Sequence, residues 1–295
     1  MIVQGNWGEL LLPGLRTIYD LHFKSLPDFM GQLFNVQGTT KKTEESLGVG
    51  ALGLMEAWTG TVAYEDPNKG YKSSYTQAKY SKGLQIEEEM VRFDQYNEIK
   101  KRTKRLATAA HYTRQNHGAS VLNNAFATVL GPDGKVLCAT DHPYSPSDAT
   151  TQSNKGTTAL SLDAVDTTYV AMTAWTDDKG NKVAINPDTL IVPPGLRKTA
   201  LEIVKSPKNP TNADNAVNVY EGEFKVIVLP FLTDTNNWFM ADSTLMKDFL
   251  NWYDSRKPDF SDTVDFDTEV AKYKVVGSWA YGWDHWQFIY GHLVA

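Results

Sequence analysis

One thiol and one nearby imidazole are the residues of this chain whose types best suit covalent chemistry. Cys138 is the only cysteine, and it precedes His142 in the segment KVLCATDH. A thiol beside a general base could act as the nucleophile of a hydrolase. A small cysteine within a strand is more often a buried apolar residue, and we favour that interpretation. A cysteine-dependent hydrolase stays as an alternative, which thiol alkylation would test by abolishing an activity.

Aromatic residues crowd the last segment of the chain and could form a ligand-binding surface. They form two alternating triplets, Trp279, Tyr281, Trp283 and then Trp286, Phe288, Tyr290. The phase changes at Asp284-His285, which predicts a bulge or tight turn between two strands. Period-two stripes are typical of a sheet that packs in a core or a subunit contact, whereas an aromatic cage needs residues converging from separate elements. The alternative is a carbohydrate-binding β-module that exposes Trp279, Trp283 and Trp286.

The run KKRTKR, residues 100–105, is the candidate for contact with nucleic acid. Lys101, Lys104 and Arg105 fall near one side of a predicted helix and could touch phosphate. The formal net charge of −6 argues against a chain whose main activity is to grip nucleic acid. We therefore expect a solvated helix face, with at most nonspecific proximity to nucleic acid.

The sequence predicts neither a cofactor nor a metal site, and we expect no catalytic residues. GVGALG, residues 48–53, lacks the preceding strand and following helix of a dinucleotide-binding loop. The six histidines lack ligand spacing, since neighbours such as Asp141-His142 point to opposite faces of a strand. A lone cysteine excludes an intrachain disulfide. Residues 1–15 do not resemble a secretory signal, and no apolar run approaches the roughly 20 residues that cross a bilayer.

The 295 residues, 41% hydrophobic and 22% charged, suffice for a large folded core. Apolar and small residues recur every three or four positions after Asp94, a plausible N-cap, and predict a helix to about residue 124, roughly 45 Å long. This helical face comprises Ile99, Thr103, Leu106, Ala110, Thr113, His117 and Val121. A second helix is predicted after Ser161, and a third after Pro193-Pro194.

The first ninety residues are predicted to contain an arm and a long hairpin. Pro13 is placed in the first turn of a short helix that ends at Pro27, and residues 38–46 form a linker. Extended stretches at 53–65 and 70–86 flank the turn signal EDPNKG. An isolated two-stranded hairpin is marginal in water, so this one needs a surface, either its own domain or another chain.

The remaining segments alternate between strands and loops, which makes the chain a mixed α+β protein. Short strands are predicted around AFATVL and KVLCATDH, followed by a polar loop at 144–158. Further predicted strands are TLIV, FKVIVLPFLT, NWFMAD, FLNWYDS, TEVAKYKVVGSWAYG and HWQFIYGH.

The order of these parts resembles the major capsid proteins of tailed bacteriophages with the Hong Kong ninety-seven fold, closest to the Mu-like major head subunits. The residues that carry the resemblance are Thr140-Asp141-His142-Pro143, Leu190-Ile191-Val192-Pro193-Pro194-Gly195-Leu196, Glu221-Gly222, Trp238-Phe239 with Asp242, Tyr281-Gly282-Trp283 and Phe288-Ile289-Tyr290-Gly291. The resemblance covers nearly the whole chain. It implies an α+β capsid fold with an N-arm at 1–46, an E-loop at 47–92, a peripheral domain at 93–181 and 246–295 with a long spine helix, and an axial domain at 182–245.

The resemblance also implies a structural role and a set of partners. Identical subunits would form the hexameric and pentameric capsomers of an icosahedral virion shell around phage double-stranded DNA, assembled in the host cytoplasm without a membrane. We expect a portal and decoration proteins, and a separate scaffolding protein because no long scaffolding segment precedes the arm. Some relatives crosslink through a lysine of the E-loop, for which Lys69, Lys72, Lys79 and Lys82 qualify by type alone. We expect noncovalent assembly.

Overall fold

The computed structural model of the chain describes residues 7–58, 60–62, 64–93, 95–208, 217–265 and 270–295. Within these ranges helices and strands mix as predicted for an α+β chain. The strands of the described residues form two larger sheets, of four and five strands, and two separate two-stranded pairs. Aromatic residues fill the cores between the sheets and the helices.

The four-stranded sheet and one long helix form the frame of the molecule. The strand order is β1 (Asn35–Gly38), β11 (Leu250–Asp265), β12 (Val270–Trp283), β4 (Ala78–Glu87). The helix α4 (Tyr96–Asn123) has 28 residues, about 42 Å at 1.5 Å per residue, and lies against this sheet. The predicted long helix is therefore confirmed, while its predicted cap Asp94 lies outside the described residues. The buried face follows Ile99, Thr103 and Leu106 as expected and then shifts by one position to Ala107 and His111.

The five-stranded sheet carries the central segment of the chain. Its order is β7 (Lys155–Gly156), β13 (Ile289–His292), β10 (Trp238–Ala241), β8 (Thr189–Val192), β9 (Lys225–Val228). Packed with it are α5 (Leu162–Thr173), the 3₁₀ turn Pro194–Leu196 and α6 (Arg197–Lys205). Both helices begin where the sequence predicts, and the Ser161 hydroxyl caps α5 by accepting a hydrogen bond from the Ala164 amide.

The N-terminal helix differs from the predicted arm. α1 (Trp7–Ser25) contains Pro13 in its interior, so it begins earlier than predicted. It packs on α4 and β11 of the same chain and buries Leu15 and Tyr19 there. A short helix, α2 (Met30–Leu33), follows and leads into β1. The apolar face of α1 is therefore covered within the chain, which the prediction of an arm did not anticipate.

The predicted hairpin exists with a different first strand. β2 (Thr43–Val49) pairs antiparallel with β3 (Lys69–Thr76), and we call residues 43–76 the ribbon. The predicted linker at 38–46 therefore contributes to a strand, whereas the described part of 53–65 has no regular secondary structure. The second predicted stretch divides in two, since β4 leaves the ribbon and pairs with β12 in the four-stranded sheet.

Three smaller predictions are corrected and one is confirmed. In place of the strands predicted around AFATVL and KVLCATDH, the structure has the isolated bridge between Leu130 and Val136, and a strand begins at His142. The polar loop at 144–158 contains strand structure, because β5 (His142–Ser145) pairs with β6 (Asp148–Gln152). Two further helices, α3 (Glu88–Arg92) and α7 (Ser243–Phe249), precede α4 and β11. The turn predicted at Asp284-His285 does separate β12 from β13.

Candidate functional site

The structure does not support a cysteine nucleophile. Cys138 is fully buried, and burial raises the pKa of its thiol far above the ordinary value. His142 is also buried, with Nδ1 2.5 Å from Oδ2 of Asp133 and Nε2 3.1 Å from Oδ1 of Asn154. Both ring nitrogens therefore have partners other than the thiol. Asn154 in turn donates to the carbonyls of Leu137 and Ile289, so this polar group joins three segments of the fold.

The terminal tryptophans are core residues, which argues against the alternative of a carbohydrate-binding module that exposes them. Trp279, Trp283 and Trp286 are only 3%, 6% and 4% exposed. Trp279 and Trp283 pack in one core cluster, and Trp286 stacks on His142 at a ring-centroid distance of 4.5 Å. The favoured interpretation of the aromatic stripes as core is confirmed, although Trp286 and Phe288 lie in the turn before β13 and not in a strand.

The glycines of GVGALG shape the ribbon. Gly48 lies at an irregularity in the register of β2 and β3, between Leu47 and Val49. A Cβ on Gly70 would lie 2.5 Å from the carbonyl carbon of Gly48, so only glycine fits where the two strands approach. A strand, β2, does precede the segment, contrary to the sequence analysis, and no helix follows in the described part of it.

The basic run lies on the solvent-exposed face of α4. Lys100, Lys101, Arg102, Lys104 and Arg105 are all exposed. Glu98 forms long ion pairs with Lys101 and Arg102, at 3.7 and 3.9 Å. The described residues contain no His, Cys, Asp or Glu cluster suited to a metal ion. No helix in the described ranges is both long and apolar enough to cross a membrane.

The candidate functional surface is the ribbon, because it exposes apolar side chains that its own chain does not cover. Met55, Trp58 and Tyr64 are 101%, 73% and 93% exposed. The other large apolar side chains exposed on the ribbon are Leu47, Val49, Leu52, Leu54 and Val62. Soluble monomers rarely display such a concentration of apolar residues, and it is typical of a protein–protein contact.

The base of the ribbon is fixed to the body of the chain. Tyr75 is buried, lies 5.2 Å from the ring of Tyr253 and donates a hydrogen bond of 2.5 Å to Oδ1 of Asp284. Asn251 donates to the second carboxylate oxygen of Asp284 at 2.9 Å. A Cβ on Gly282 would lie 2.9 Å from the Tyr75 ring, so glycine makes room for this contact. The ribbon therefore projects from a rigid point of attachment.

The four candidate lysines are all exposed but lie in two different places. Lys69 and Lys72 are in β3 of the ribbon, and Lys72 pairs with Glu45 of β2 at 2.8 Å. Lys79 and Lys82 are in β4, within the four-stranded sheet. The sequence analysis placed Asp284 at a predicted turn and did not connect it with Tyr75, because the two residues are far apart in sequence and carry no motif.

A frame of long helix and long sheet, a second sheet beside it and a projecting ribbon define a shell-forming capsid subunit of the Hong Kong ninety-seven fold. The family model described as phage capsid protein matches residues 70–291, well over half of the chain. The chain belongs to the phage capsid protein family. It is a major capsid protein of the icosahedral phage shell, a structural protein of the virion and not an enzyme.

Solved capsid structures share the fold at low sequence identity. The procapsid of bacteriophage JBD30 has a TM-score of 0.53 at 15% identity, over 96% of this chain and 74% of that chain. The JBD30 capsid decorated with minor capsid protein trimers has a TM-score of 0.58 at 17% identity, over 71% of this chain and 92% of that one. The mature capsid of bacteriophage PhiM1 has a TM-score of 0.59 at 11% identity, over 92% and 88%. No curated protein matches the chain significantly. The narrower resemblance to Mu-like head subunits stays a prediction.

Proposed function

We propose that this major capsid protein assembles noncovalently into hexamers and pentamers, with the ribbon as its main contact to a neighbouring subunit. The observation that carries this proposal is the exposure of apolar side chains between Leu47 and Tyr64. Burying apolar surface is the dominant favourable term in most protein association, at about 25 cal/mol per Å². Repetition of the same contact around a closed ring multiplies its effect.

The division of the chain follows from this role. Residues 1–46 act as the N-arm, 47–92 as the E-loop, 93–181 and 246–295 as the peripheral domain, and 182–245 as the axial domain. Because α1 is covered by its own chain, contacts to a neighbour from the N-arm come from its remaining residues. The ribbon supplies the exposed part of the E-loop, while β4 anchors its C-terminal end in the peripheral domain.

Assembly takes place in the host cytoplasm with a separate scaffolding protein and a portal, and decoration proteins bind the finished shell. The exposed basic residues of α4 approach the packaged DNA without reading its sequence, since phosphate contacts carry no base information. Intact subunits on a denaturing gel of particles would agree with noncovalent assembly. A ladder of covalent multimers would contradict it.

The test of the ribbon contact replaces Leu54, Met55, Trp58 and Tyr64 with serine. These side chains make no contribution to a core, so the free energy of unfolding should stay within about 0.5 kcal/mol of the parent. Negative-stain microscopy, alone and with a scaffolding partner, should then show no shells of uniform diameter. Val170→Ser, which changes an exposed apolar residue of α5, is the control. Normal shells from the fourfold variant would show that the E-loop assignment is wrong.

A further inference from the structure

A rigid turn in the body of the chain meets the far end of the ribbon. We call residues 50–68 the ribbon tip and residues 177–181, between α5 and β8, the latch turn. Oδ1 of Asp177 accepts hydrogen bonds from the amides of Lys179 at 2.9 Å and Asn181 at 2.8 Å. Gly180 has a φ of +81°, a left-handed conformation that glycine adopts without strain. The side chain of Asp177 thus stabilises the turn, which leaves Asp178 and Lys179 for other contacts.

Asp178 and Lys179 both contact the ribbon tip. The amide of Ala51 donates to Oδ1 of Asp178 at 2.8 Å, and the side-chain amide of Asn68 reaches Oδ2 at 3.4 Å. Nζ of Lys179 pairs with Glu65 at 2.5 Å. The latch turn therefore contacts the ribbon tip just after the last residue of β2, just before the first residue of β3, and at Glu65 in the connection between them.

The fit between the latch turn and the ribbon tip depends on a glycine. A Cβ on Gly50 would lie 2.5 Å from Oδ2 of Asp178 and 3.1 Å from the carbonyl oxygen of Asn68. The Gly50 amide also donates to that carbonyl at 2.8 Å, which closes the end of the ribbon ladder. Close approach of the carboxylate is therefore possible only because this position has no side chain.

The latch turn and the ribbon base hold the ribbon at two points with a cleft between them. This cleft has a volume of about 460 Å³ and lies between the ribbon and the body, with Tyr71, Tyr144 and Trp286 among its lining residues. The latch contacts are polar and leave the apolar side chains of the ribbon tip uncovered, as the full exposure of Met55 shows. The latch orients the tip without hiding the residues that would meet a neighbour.

We propose that Asp178 and Lys179 form an intramolecular latch that holds the ribbon tip in the free subunit and preorganises it for docking on a neighbouring copy. This proposal rests on the proposed role of the ribbon as the main subunit contact. Exposed ion pairs are individually weak, so the latch is reversible and can adjust when a neighbour binds. Its effect on assembly comes from the larger fraction of subunits that are ready to bind.

The test compares two variants that change the net charge equally. Asp178→Ala with Lys179→Met removes the latch, and Asp66→Ala with Lys69→Met changes the same residue types within or beside the ribbon tip. Hydrogen exchange of the free subunit reports the latch directly, because the Ala51 amide is one of its donors. We expect at least about fivefold faster exchange at Ala51 in the latch variant alone, since local opening controls exchange. Gly50→Ala should reproduce the effect without a change of charge.

Light scattering then measures the subunit concentration at which shells begin to form. We expect the latch variant to form shells only at an about three- to tenfold higher subunit concentration than the parent, because a smaller fraction of its free subunits holds the ribbon tip in place. The shells should have the normal diameter. Unchanged exchange at Ala51 would overturn the latch. Faster exchange with an unchanged threshold would overturn its role in assembly. The serine variant of the ribbon tip tests the proposed function separately, because it leaves Asp178, Lys179 and Ala51 in place.

Discussion

At the scale of single residues, Arg114 joins the long helix to the long strand. Its Nη1 and Nη2 lie 2.6 and 3.0 Å from the two carboxylate oxygens of Asp254, whose side chain is only 2% exposed. The guanidinium also lies over Trp252 and Trp279, at 5.0 and 5.3 Å from the ring centroids. Trp252 donates from Nε1 to the same carboxylate at 2.8 Å. One cation thus neutralises a buried charge and packs two aromatic rings.

Arg114→Met should lower the free energy of unfolding by about 3–5 kcal/mol, because it leaves the Asp254 carboxylate buried and unpaired. Urea denaturation measures the loss. Arg16→Met is the matched control, since Arg16 pairs with Asp259 at 2.9 Å where both side chains are about half exposed. Such a pair contributes less than about 1 kcal/mol. Adding Asp254→Asn to Arg114→Met should recover part of the lost unfolding free energy, because the buried carboxylate is then absent. Equal losses for Arg114→Met and Arg16→Met would contradict this account.

His292 makes the stability of the subunit depend on pH. The amide of Thr158 donates to Nδ1 at 3.2 Å, so Nδ1 holds no proton and Nε2 donates to the hydroxyl of Thr168 at 2.8 Å. The ring stacks on Trp238 with centroids 4.1 Å apart. Burial lowers the pKa of His292 from 6.5 to about 4. The hydrogen bonds and the burial both favour the neutral imidazole.

Between pH 6.5 and 4 the unfolded chain binds a proton at His292 that the folded chain does not, so stability falls as the pH is lowered through this window. A shift of this size corresponds to about 2–3 kcal/mol at pH 4 relative to pH 7. His292→Gln should reduce the fall of the unfolding free energy between pH 6.5 and 4, while His285, whose pKa burial also lowers to about 4, keeps its own contribution. The partly exposed His22 gives the control variant His22→Gln. A profile as steep in His292→Gln as in the parent would refute the assignment.

At the scale of elements, Gly118 allows α4 to pack closely against α2. A Cβ on Gly118 would lie 2.7 Å from Cγ of Met30 and 3.3 Å from the ring of Phe34. Gly118→Val should therefore lower the free energy of unfolding by about 1–3 kcal/mol through overpacking, despite replacing a poor helix former. Gly14 of α1 has open space around it, so Gly14→Ala should stabilise the protein by up to about 1 kcal/mol. In thermal denaturation, the midpoint temperature should fall for Gly118→Val and rise for Gly14→Ala. Shifts of the same sign in both variants would contradict the difference in packing around the two glycines.

The elements that sequence could predict are those whose signals are local. Apolar periodicity predicted α4, and Ser161 and Pro193-Pro194 predicted the starts of the helices that follow them. β2 was missed because none of its residues is fully buried, so TEES carries no alternating apolar pattern. The partner strand determines its register. The latch joins Ala51 to Asp178 across 127 positions, and no local rule can predict so distant a contact.

At the scale of the whole molecule, the described residues form a packed body from which the ribbon projects. One core cluster contains Trp252 and Trp279 of the four-stranded sheet together with Phe239 and Ile289 of the five-stranded sheet. The two sheets therefore support each other without help from a neighbour. The sequence analysis predicted that the hairpin and the arm need a packing surface on a neighbouring subunit. Among the described residues, α1 buries its apolar face within the chain, whereas the ribbon tip leaves a group of large apolar side chains exposed.

Trp58 reports whether assembly covers this tip. Trp175, Trp238, Trp252, Trp279, Trp283 and Trp286 are all buried, whereas Trp58 is 73% exposed. In a Trp7→Phe background, Trp58 is thus the one tryptophan that iodide can reach among the side chains that the structure describes. Iodide should quench the fluorescence of the free subunit strongly, and quenching should fall on assembly toward the level of a variant that also carries Trp58→Phe. The loss of quenching follows because a neighbour that docks on the tip excludes the anion. Equal quenching of free subunits and intact shells would mean that the ribbon tip stays in solvent, and the subunit contact would then have to lie elsewhere.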